Sequence, residues 1–462
     1  MKSTDALLSA WDKTVRHQGD RPAVLAPPGE TLRTISQIAS RADEIAQTLA
    51  FPAGNVVAVQ IGNHPDWPAI FLACLRRELV VLPLDESMTE ERRDASLRIC
   101  HAAAVVIARG QGWWVQPIGD QPRPTGWQQH RPSLLKLTSG TTAEPRAIRF
   151  RSEQLLADCD QICETMGISE ADLNFGVIPI SHSYGFSNLL TPLIARGVPM
   201  VVSNDRLPRA ILENLATTRA TVLPAMPVFY QAFCEIENPP SLSNLRLCIS
   251  AGAPLSVSVA KRFHERFQLP IHSFYGASEC GGICYDRDGR GEVDGFIGTP
   301  MTGVDLKPLD PGLPESRIQV SSAAVGDGYF PEPDPEKLGN GTFVPDDLLQ
   351  GVDSGFKIVG RVSELINVAG KKVNPAEIEA HLRRCPGVLD AVAFGLKSQR
   401  RNEEIGACIV SRAGLSENDL LEFARKGLSS WQVPKRIFLV REIPANERGK
   451  ISRRELAERF GR

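Results

Sequence analysis

Short apolar runs alternate with longer amphipathic stretches through most of this chain, and that alternation restricts what it can fold into. VVAVQIG (Val56 to Gly62) reads as a buried strand, WPAIFLACLRRE (Trp67 to Glu78) as the helix after it, and ELVVLPLD (Glu78 to Asp85) as the next strand. The strand signal repeats at Ala103–Ala108, Gly197–Ser203, Thr221–Ala225 and Arg246–Gly252, with helical stretches such as Leu255–Phe267 between. Strands that are apolar throughout are covered on both faces, so the pattern predicts an α/β body of parallel-type sheets sandwiched by helices. Gly110–Ser133, rich in Gly, Pro, Gln and Trp, reads as an irregular connection. Gly291–Tyr329 shows short strands with turns and predicts a small β-rich unit. After Gly360–Arg361 a compact final segment begins, with its own helix (AEIEAHLRRC) and strands (LDAVAFGL, GACIVSR).

The length of 462 residues calls for two or three domains, and 42% hydrophobic with 23% charged residues is globular composition. The net charge of −2 gives no global attraction to nucleic acid or anionic lipid. It is unevenly spread: from Val362 onward 19 Lys+Arg stand against 13 Asp+Glu, which leaves −8 for the rest. A basic tail domain on an acidic body suggests a division of labour, although solvated surface charge alone produces the same count. No apolar run reaches the roughly 18 residues of a membrane helix, and Met1–Lys13 lacks a signal-peptide core. Ten scattered cysteines without a CxxC pair read as reduced thiols of a cytoplasmic protein.

The stretch Leu137-Thr-Ser-Gly-Thr-Thr-Ala-Glu-Pro-Arg146 carries the most chemistry. An apolar strand runs into a loop of four hydroxyls, in which Gly140 lets the backbone approach a ligand and Arg146 adds charge. Hydroxyl and backbone donors of this kind suit phosphate oxygens, yet the GxxxxGK[ST] loop is absent. A Ser/Thr-rich surface turn is the competing reading of these residues alone.

TSGTTAEPRA resembles the phosphate-loop signature of the adenylate-forming (AMP-binding) superfamily, which includes acyl-CoA synthetases and free-standing acyl-activating ligases. That signature usually reads TSGTTGxPKG; Ala143 and Arg146 depart from it. Seven further blocks follow in the family's order, the whole spanning about 320 residues: Ile178–Phe186 around His182, Ile249–Leu255, Phe274–Glu279, Gly328–Tyr329, Val344–Leu348, Gly360–Glu379, and Pro444–Leu456. The first 130 residues match only in general α/β pattern.

The resemblance implies ATP-dependent activation of a carboxylic acid to an acyl-adenylate with release of pyrophosphate, then transfer of the acyl group to a thiol of CoA or of a phosphopantetheinyl carrier protein. It implies a body over residues 1–361 and a small mobile α+β lid over 362–462. Thr138, Ser139, Gly140, Thr141, Thr142, Arg146 and Ser278 are expected at the phosphates, and Glu279 as ligand of Mg²⁺. Gly252, Ala253 and Pro254 are expected on one face of the adenine, Tyr275 and Gly276 on the other, and Asp347 and Arg361 at the ribose, with Asp346 a competitor for Asp347. Lys450 is the expected catalytic cation between carboxylate and α-phosphate, and His182 the residue at the carboxylate end of the acyl pocket. Ser363 takes the hinge position, while Gly370 and Lys371 mark the thiol path. No acid lies between Phe175 and Leu190, which disfavours an amino-acid substrate; a fatty or aromatic acid fits the small and apolar elements His182–Ser187, Ala225–Phe229 and Gly276–Gly282. The chain ends soon after Leu456 without a carrier domain, so the acceptor is expected to be separate. An adenylate enzyme with another acceptor (amide formation or oxidation) and a non-catalytic nucleotide-binding relative are the alternatives. Retention of Glu279 and Lys450 argues against the last.

Overall fold

A computed structural model describes residues 5–110, 112–119, 126–127, 130–138, 146–289, 295–368, 371–398, 402–412, 414–444 and 451–461. The chain divides into two compact units: Met1–Lys307 with Gln319–Pro345 and Asp353–Phe356, and Pro308–Ile318 with Asp346–Val352 and Lys357–Arg462.

The first unit holds two mainly parallel sheets. One runs Pro22–Ala26, Met200–Val202, Asn174–Gly176, Val222–Ala225, Leu247–Ser250 and Ile271–Ala277, all parallel to their neighbours. Glu30–Thr34 closes one edge antiparallel, and Gly281–Tyr285 and Phe296–Pro300 extend the other. The second sheet is ordered Gly328–Phe330, Ala147–Phe150, Leu134–Leu137, Val80–Pro83, Val56–Gln60, Ala102–Arg109, Gly112–Pro117. Its four inner strands from Leu134–Leu137 to Ala102–Arg109 are parallel and its edges antiparallel. The strands read from the apolar runs are therefore all present. Every residue of Val56–Gln60, Val80–Pro83 and Val222–Ala225 is buried, which is why these segments show no polar alternation.

One expectation changes. Within Gly110–Ser133, Gly112–Pro117 forms a strand antiparallel to Ala102–Arg109. Trp113, Trp114 and Val115 favour a pleated surface, and Gly110, at φ +59°, reverses the chain in front of them.

Helices fill the connections. Thr34 and Gln37 form a reciprocal capping box ahead of Ile35–Thr48, and Ser416 with Asp419 does the same for Glu417–Gly427. The core beside the first sheet includes the aromatic residues Phe175, Tyr230, Phe233 and Phe263, each at most 1% exposed, among aliphatic neighbours. Each such side chain contributes roughly 1.5–3 kcal/mol of burial.

The second unit carries a sheet ordered Lys371–Val373, Ile366–Val368, Asn402–Ser411, Val388–Ser398, with Arg436–Leu439 parallel to Asn402–Ser411. Its core draws Ile378 and Leu382 from the helix Pro375–Leu382 and Leu420 and Ala424 from Glu417–Gly427. Phe394 and Leu456 nucleate a smaller cluster on Arg453–Phe460.

Candidate active site

In parallel α/β sheets ligands gather at the carboxyl ends of the strands. Leu247–Ser250 delivers Gly252–Pro254 there, Ile271–Ala277 delivers Ser278 and Glu279, and Asn174–Gly176 leads to His182. The backbone fits these tasks locally. Gly252 sits at φ +85°, a conformation that favours glycine, and Gly252, Ala253 and Pro254 are exposed. Tyr275 is 8% exposed and Gly276 is exposed.

The segment carrying His182 is pinned from both sides. Asn63 Nδ2 donates to the carbonyls of Gly176 and Ile178 at 3.1 Å, and Asn63 Oδ1 accepts from Ile180 N at 2.9 Å. A Cβ on Gly185 would fall 2.0 Å from the Pro179 carbonyl oxygen, so only glycine allows the turn after His182. Phe186–Leu190 then continues as one turn of π-helix, a distortion frequent at functional sites.

His182 Nε2 lies 2.5 Å from Asp85 Oδ2, just past the strand Val80–Pro83. Asp85 also accepts from Ser87 Oγ at 2.6 Å and Ser87 N at 2.8 Å. The bond from His182, helped by Ser87 against the opposing effect of burial, holds the Asp85 carboxyl well below the usual carboxylate range. An ionised carboxylate only accepts, so Nε2 carries the proton. Asp85 thus orients the ring. Next to His182, Ser183 Oγ donates to Ser278 Oγ at 3.0 Å, joining the histidine turn to the turn that bears Glu279.

Glu279 is itself positioned. Its Oε1 accepts from the Tyr329 hydroxyl at 3.0 Å, and its carbonyl accepts from Gly326 N at 2.9 Å. The Arg146 guanidinium carbon lies 5.8 Å from the Tyr329 ring centroid. Thr138 N donates to Arg146 O at 2.8 Å, closing the neck of the connection between Leu134–Leu137 and Ala147–Phe150. Thr138, Arg146, Tyr329 and Glu279 therefore belong to one cluster. Ser139, Gly140, Thr141 and Thr142 lie outside the described residues, as do Gly370, Lys450 and the side chain of Ser363.

Beneath this cluster is a buried polar group not foreseen from the sequence. Lys136 is 5% exposed and shares a sheet row with Ile148 and Tyr329. Burial pulls its ammonium below the usual lysine range, against the fields of Asp158 and Glu279. Asp158, 4% exposed, accepts from Ser187 Oγ at 2.5 Å and Gly282 N at 3.1 Å, bracing the strand after Glu279. Burial pushes the Cys280 thiol well above its ordinary range, so it is no thiolate nucleophile. Asp85 carries a sequence signal, an acid ending an apolar strand. Lys136 and Asp158 sit inside ordinary strand and helix patterns and carry none.

In the second unit Arg361 Nε donates to Asp347 Oδ1 at 2.7 Å. Asp347 is 7% exposed, whereas Asp346 is exposed. Lys371 Nζ lies 3.5 Å from the Trp431 ring centroid. Arg453, in the segment that follows Lys450, is a structural clamp. Its Nη2 donates to Glu379 Oε1 at 2.8 Å, its Nε to Ala393 O at 3.0 Å, and its Nη1 to Glu364. Glu379 is 5% exposed and also accepts from Ala393 N at 2.8 Å.

The model of the AMP-binding enzyme family matches residues 11–121 and 107–330, and that of the AMP-binding enzyme C-terminal domain matches 377–450. A probable CoA ligase, CCL9, of Humulus lupulus is 27% identical, over 100% of this chain and 97% of its own. A 3,4-dihydroxybenzoate–[aryl-carrier protein] ligase of Bacillus anthracis is 27% identical, over 70% of this chain and 73% of its own. The solved structure of ATP-bound MatB from Rhodopseudomonas palustris shares the fold at a TM-score of 0.86, with 22% identity and 98% of each chain covered. The matched segments span most of the sequence and both of its units, and the chain belongs to the AMP-binding enzyme family.

Proposed function

We propose that the protein is an AMP-forming acid–thiol ligase. It condenses a carboxylate with ATP to an acyl-adenylate and pyrophosphate, then passes the acyl group to a thiol with release of AMP. The observation that carries this reading is the convergence of Glu279, Ser278 and His182 at the carboxyl ends of the parallel strands, held by Tyr329, Ser183 and Asp85. The first half-reaction needs charge neutralisation and positioning more than covalent help.

Thr138, Arg146 and the loop 139–145 are assigned to the β- and γ-phosphates, and Ser278 to the α-phosphate. Gly252, Ala253 and Pro254, with Tyr275 and Gly276, are assigned to the adenine, and Asp347 and Arg361 to the ribose. Asp347 is the better candidate than Asp346, because its carboxylate is buried and braced by Arg361. Among the described residues no group of three or more His, Cys, Asp or Glu gathers as a metal cage. A single carboxylate suits Mg²⁺, which usually keeps waters and shares substrate phosphates. Glu279 would hold it, and the ion would neutralise phosphate charge.

His182, with its Nε2 proton committed to Asp85, presents the rest of its ring to the substrate carboxylate. A fatty or aromatic acid fits the surrounding elements. Lys450 is assigned to the adenylation transition state. Residues 362–462 are assigned as a lid that turns about Ser363 to exchange the Lys450 face for the Gly370 and Lys371 face. CoA and a separate carrier protein are both in reach as acceptors, given the relatives' names. Ten free thiols suit the cytoplasm; among the described residues no helix is long and apolar enough to cross a membrane.

The test is Mg²⁺-dependent pyrophosphate release across an acid panel with hydroxylamine trapping, repeated with CoA and with a carrier protein. Release that needs no acid, or none with any acid, would overturn the reading. Lys450→Ala is expected to abolish adenylation yet still transfer acyl from a preformed adenylate to thiol; equal loss of both halves would overturn its assignment.

A further inference from the structure

We infer that a polar cavity in the first unit, on the sheet face turned away from Glu279, is a second ligand site that takes a small hydrophilic molecule bearing a phosphate or carboxylate. The cavity has a volume of about 420 Å³, within the range of small-molecule sites. His130, Arg149, Arg151, Glu153, Asp327 and Asn340 contribute to its lining.

Arg149 carries the argument. Its Nε is buried without a hydrogen-bond partner, and its guanidinium enters no ion pair among the described residues. A guanidinium cannot shed its proton to escape that state. With Nε sealed in and unpaired, the terminal nitrogens of the same guanidinium are what Arg149 offers to the cavity it lines, and an oxyanion there supplies the partner that the protein does not. The neighbouring strand leaves room for this side chain. Gly328 is in register with Arg149, and a Cβ at Gly328 would lie 3.3 Å from Arg149 Nη2.

The other charges of the cavity are already committed. Arg151 grips Asp327 through Nε at 2.9 Å and Nη2 at 3.1 Å, and Asp327 Oδ1 also accepts from Gln154 Nε2 at 2.8 Å. Glu153 opposes an anion, but its side chain is 56% exposed and screened by solvent. Arg149 remains as the planar fork that meets a carboxylate or phosphate with two parallel bonds, and exposed His130 and Asn340 stand beside it. Register separates this site from the nucleotide cluster. Gly328 pairs with Arg149 and Tyr329 with Ile148, and adjacent residues of a strand face opposite ways. Tyr329 points to Glu279, so Arg149 points away from it.

The experiment is calorimetric titration of the full chain with its nucleotide site first saturated by a non-hydrolysable ATP analogue and Mg²⁺. Inorganic phosphate is the titrant in one arm and citrate in the other. One further equivalent of binding is expected in at least one arm; phosphate alone, citrate alone or both each support the site and say which oxyanion it prefers. Arg149→Gln is expected to weaken that binding about tenfold or more, with Arg149→Lys recovering only part because it lacks the fork. Asn340→Ala, at an exposed position, keeps the test open if Arg149→Gln fails to fold; it is expected to weaken binding severalfold. No binding in either arm, or binding that neither Arg149→Gln nor Asn340→Ala weakens, would overturn the proposal.

Discussion

The Tyr329 hydroxyl donates to Glu279 Oε1 at 3.0 Å, and this bond ties the strand Gly328–Phe330 of one sheet to the turn between Ile271–Ala277 and Gly281–Tyr285 of the other. Tyr329→Phe removes the donor and keeps the ring under Arg146. Adenylation is expected to slow about tenfold, near 1.4 kcal/mol, with more Mg²⁺ needed for half-maximal rate. Glu279→Gln is expected to cost on the order of a hundredfold, as loss of a group acting on developing charge does. A Tyr329→Phe enzyme with unchanged Mg²⁺ dependence would show that the hydroxyl does not position Glu279.

The His182–Asp85 pair makes a pH prediction. The folded chain holds Asp85 below its ordinary range, whereas an unfolded aspartate titrates near about 3.9. The native state therefore binds fewer protons. The pair's contribution is complete above about pH 4 and is lost as pH falls toward the depressed value. Urea midpoints measured against pH are expected to fall more steeply on acidification for the native sequence than for Asp85→Asn. Parallel curves would remove Asp85 from the account.

Arg453 and Glu379 make a stability prediction for the second unit. Burial raises the Glu379 pKa, and Arg453 opposes that rise. Arg453→Met leaves a buried carboxylate without its main partner, a change worth about 3 kcal/mol. Glu379→Gln keeps the hydrogen bonds and removes the charge, so it is expected to cost less. Hydrogen exchange of the strand Val388–Ser398 distinguishes the two variants; equal loss of protection would count against the clamp.

Thiol reactivity follows burial. Nine of the ten cysteines are buried, and burial pushes Cys74 and Cys100 up to about 12. Cys234 alone is partly exposed. The native chain is expected to titrate one thiol rapidly with a disulfide reagent, and Cys234→Ser to titrate none, with all ten wild-type thiols reacting in denaturant.

The sequence by itself determined most of the strands, because fully buried parallel strands are predominantly apolar, as Val56–Val59 and Val222–Ala225 are. It also marked the candidate site loops, because hydroxyls, glycines and an acid follow the strands Leu134–Leu137, Leu247–Ser250 and Ile271–Ala277, at Thr138, Gly252 and Glu279. It misread Gly112–Pro117 as irregular, since a glycine ahead of the strand looks like the start of a loop. Partnership was decided only by the tertiary structure. Asp85 and His182 are separated by 97 residues and Tyr329 and Glu279 by 50, and no local period encodes such distances. The same holds for Lys136 and Arg149. On paper they are one lysine and one arginine among 52 basic residues; packing alone buries the first beneath Glu279 and turns the second into a cavity on the other face.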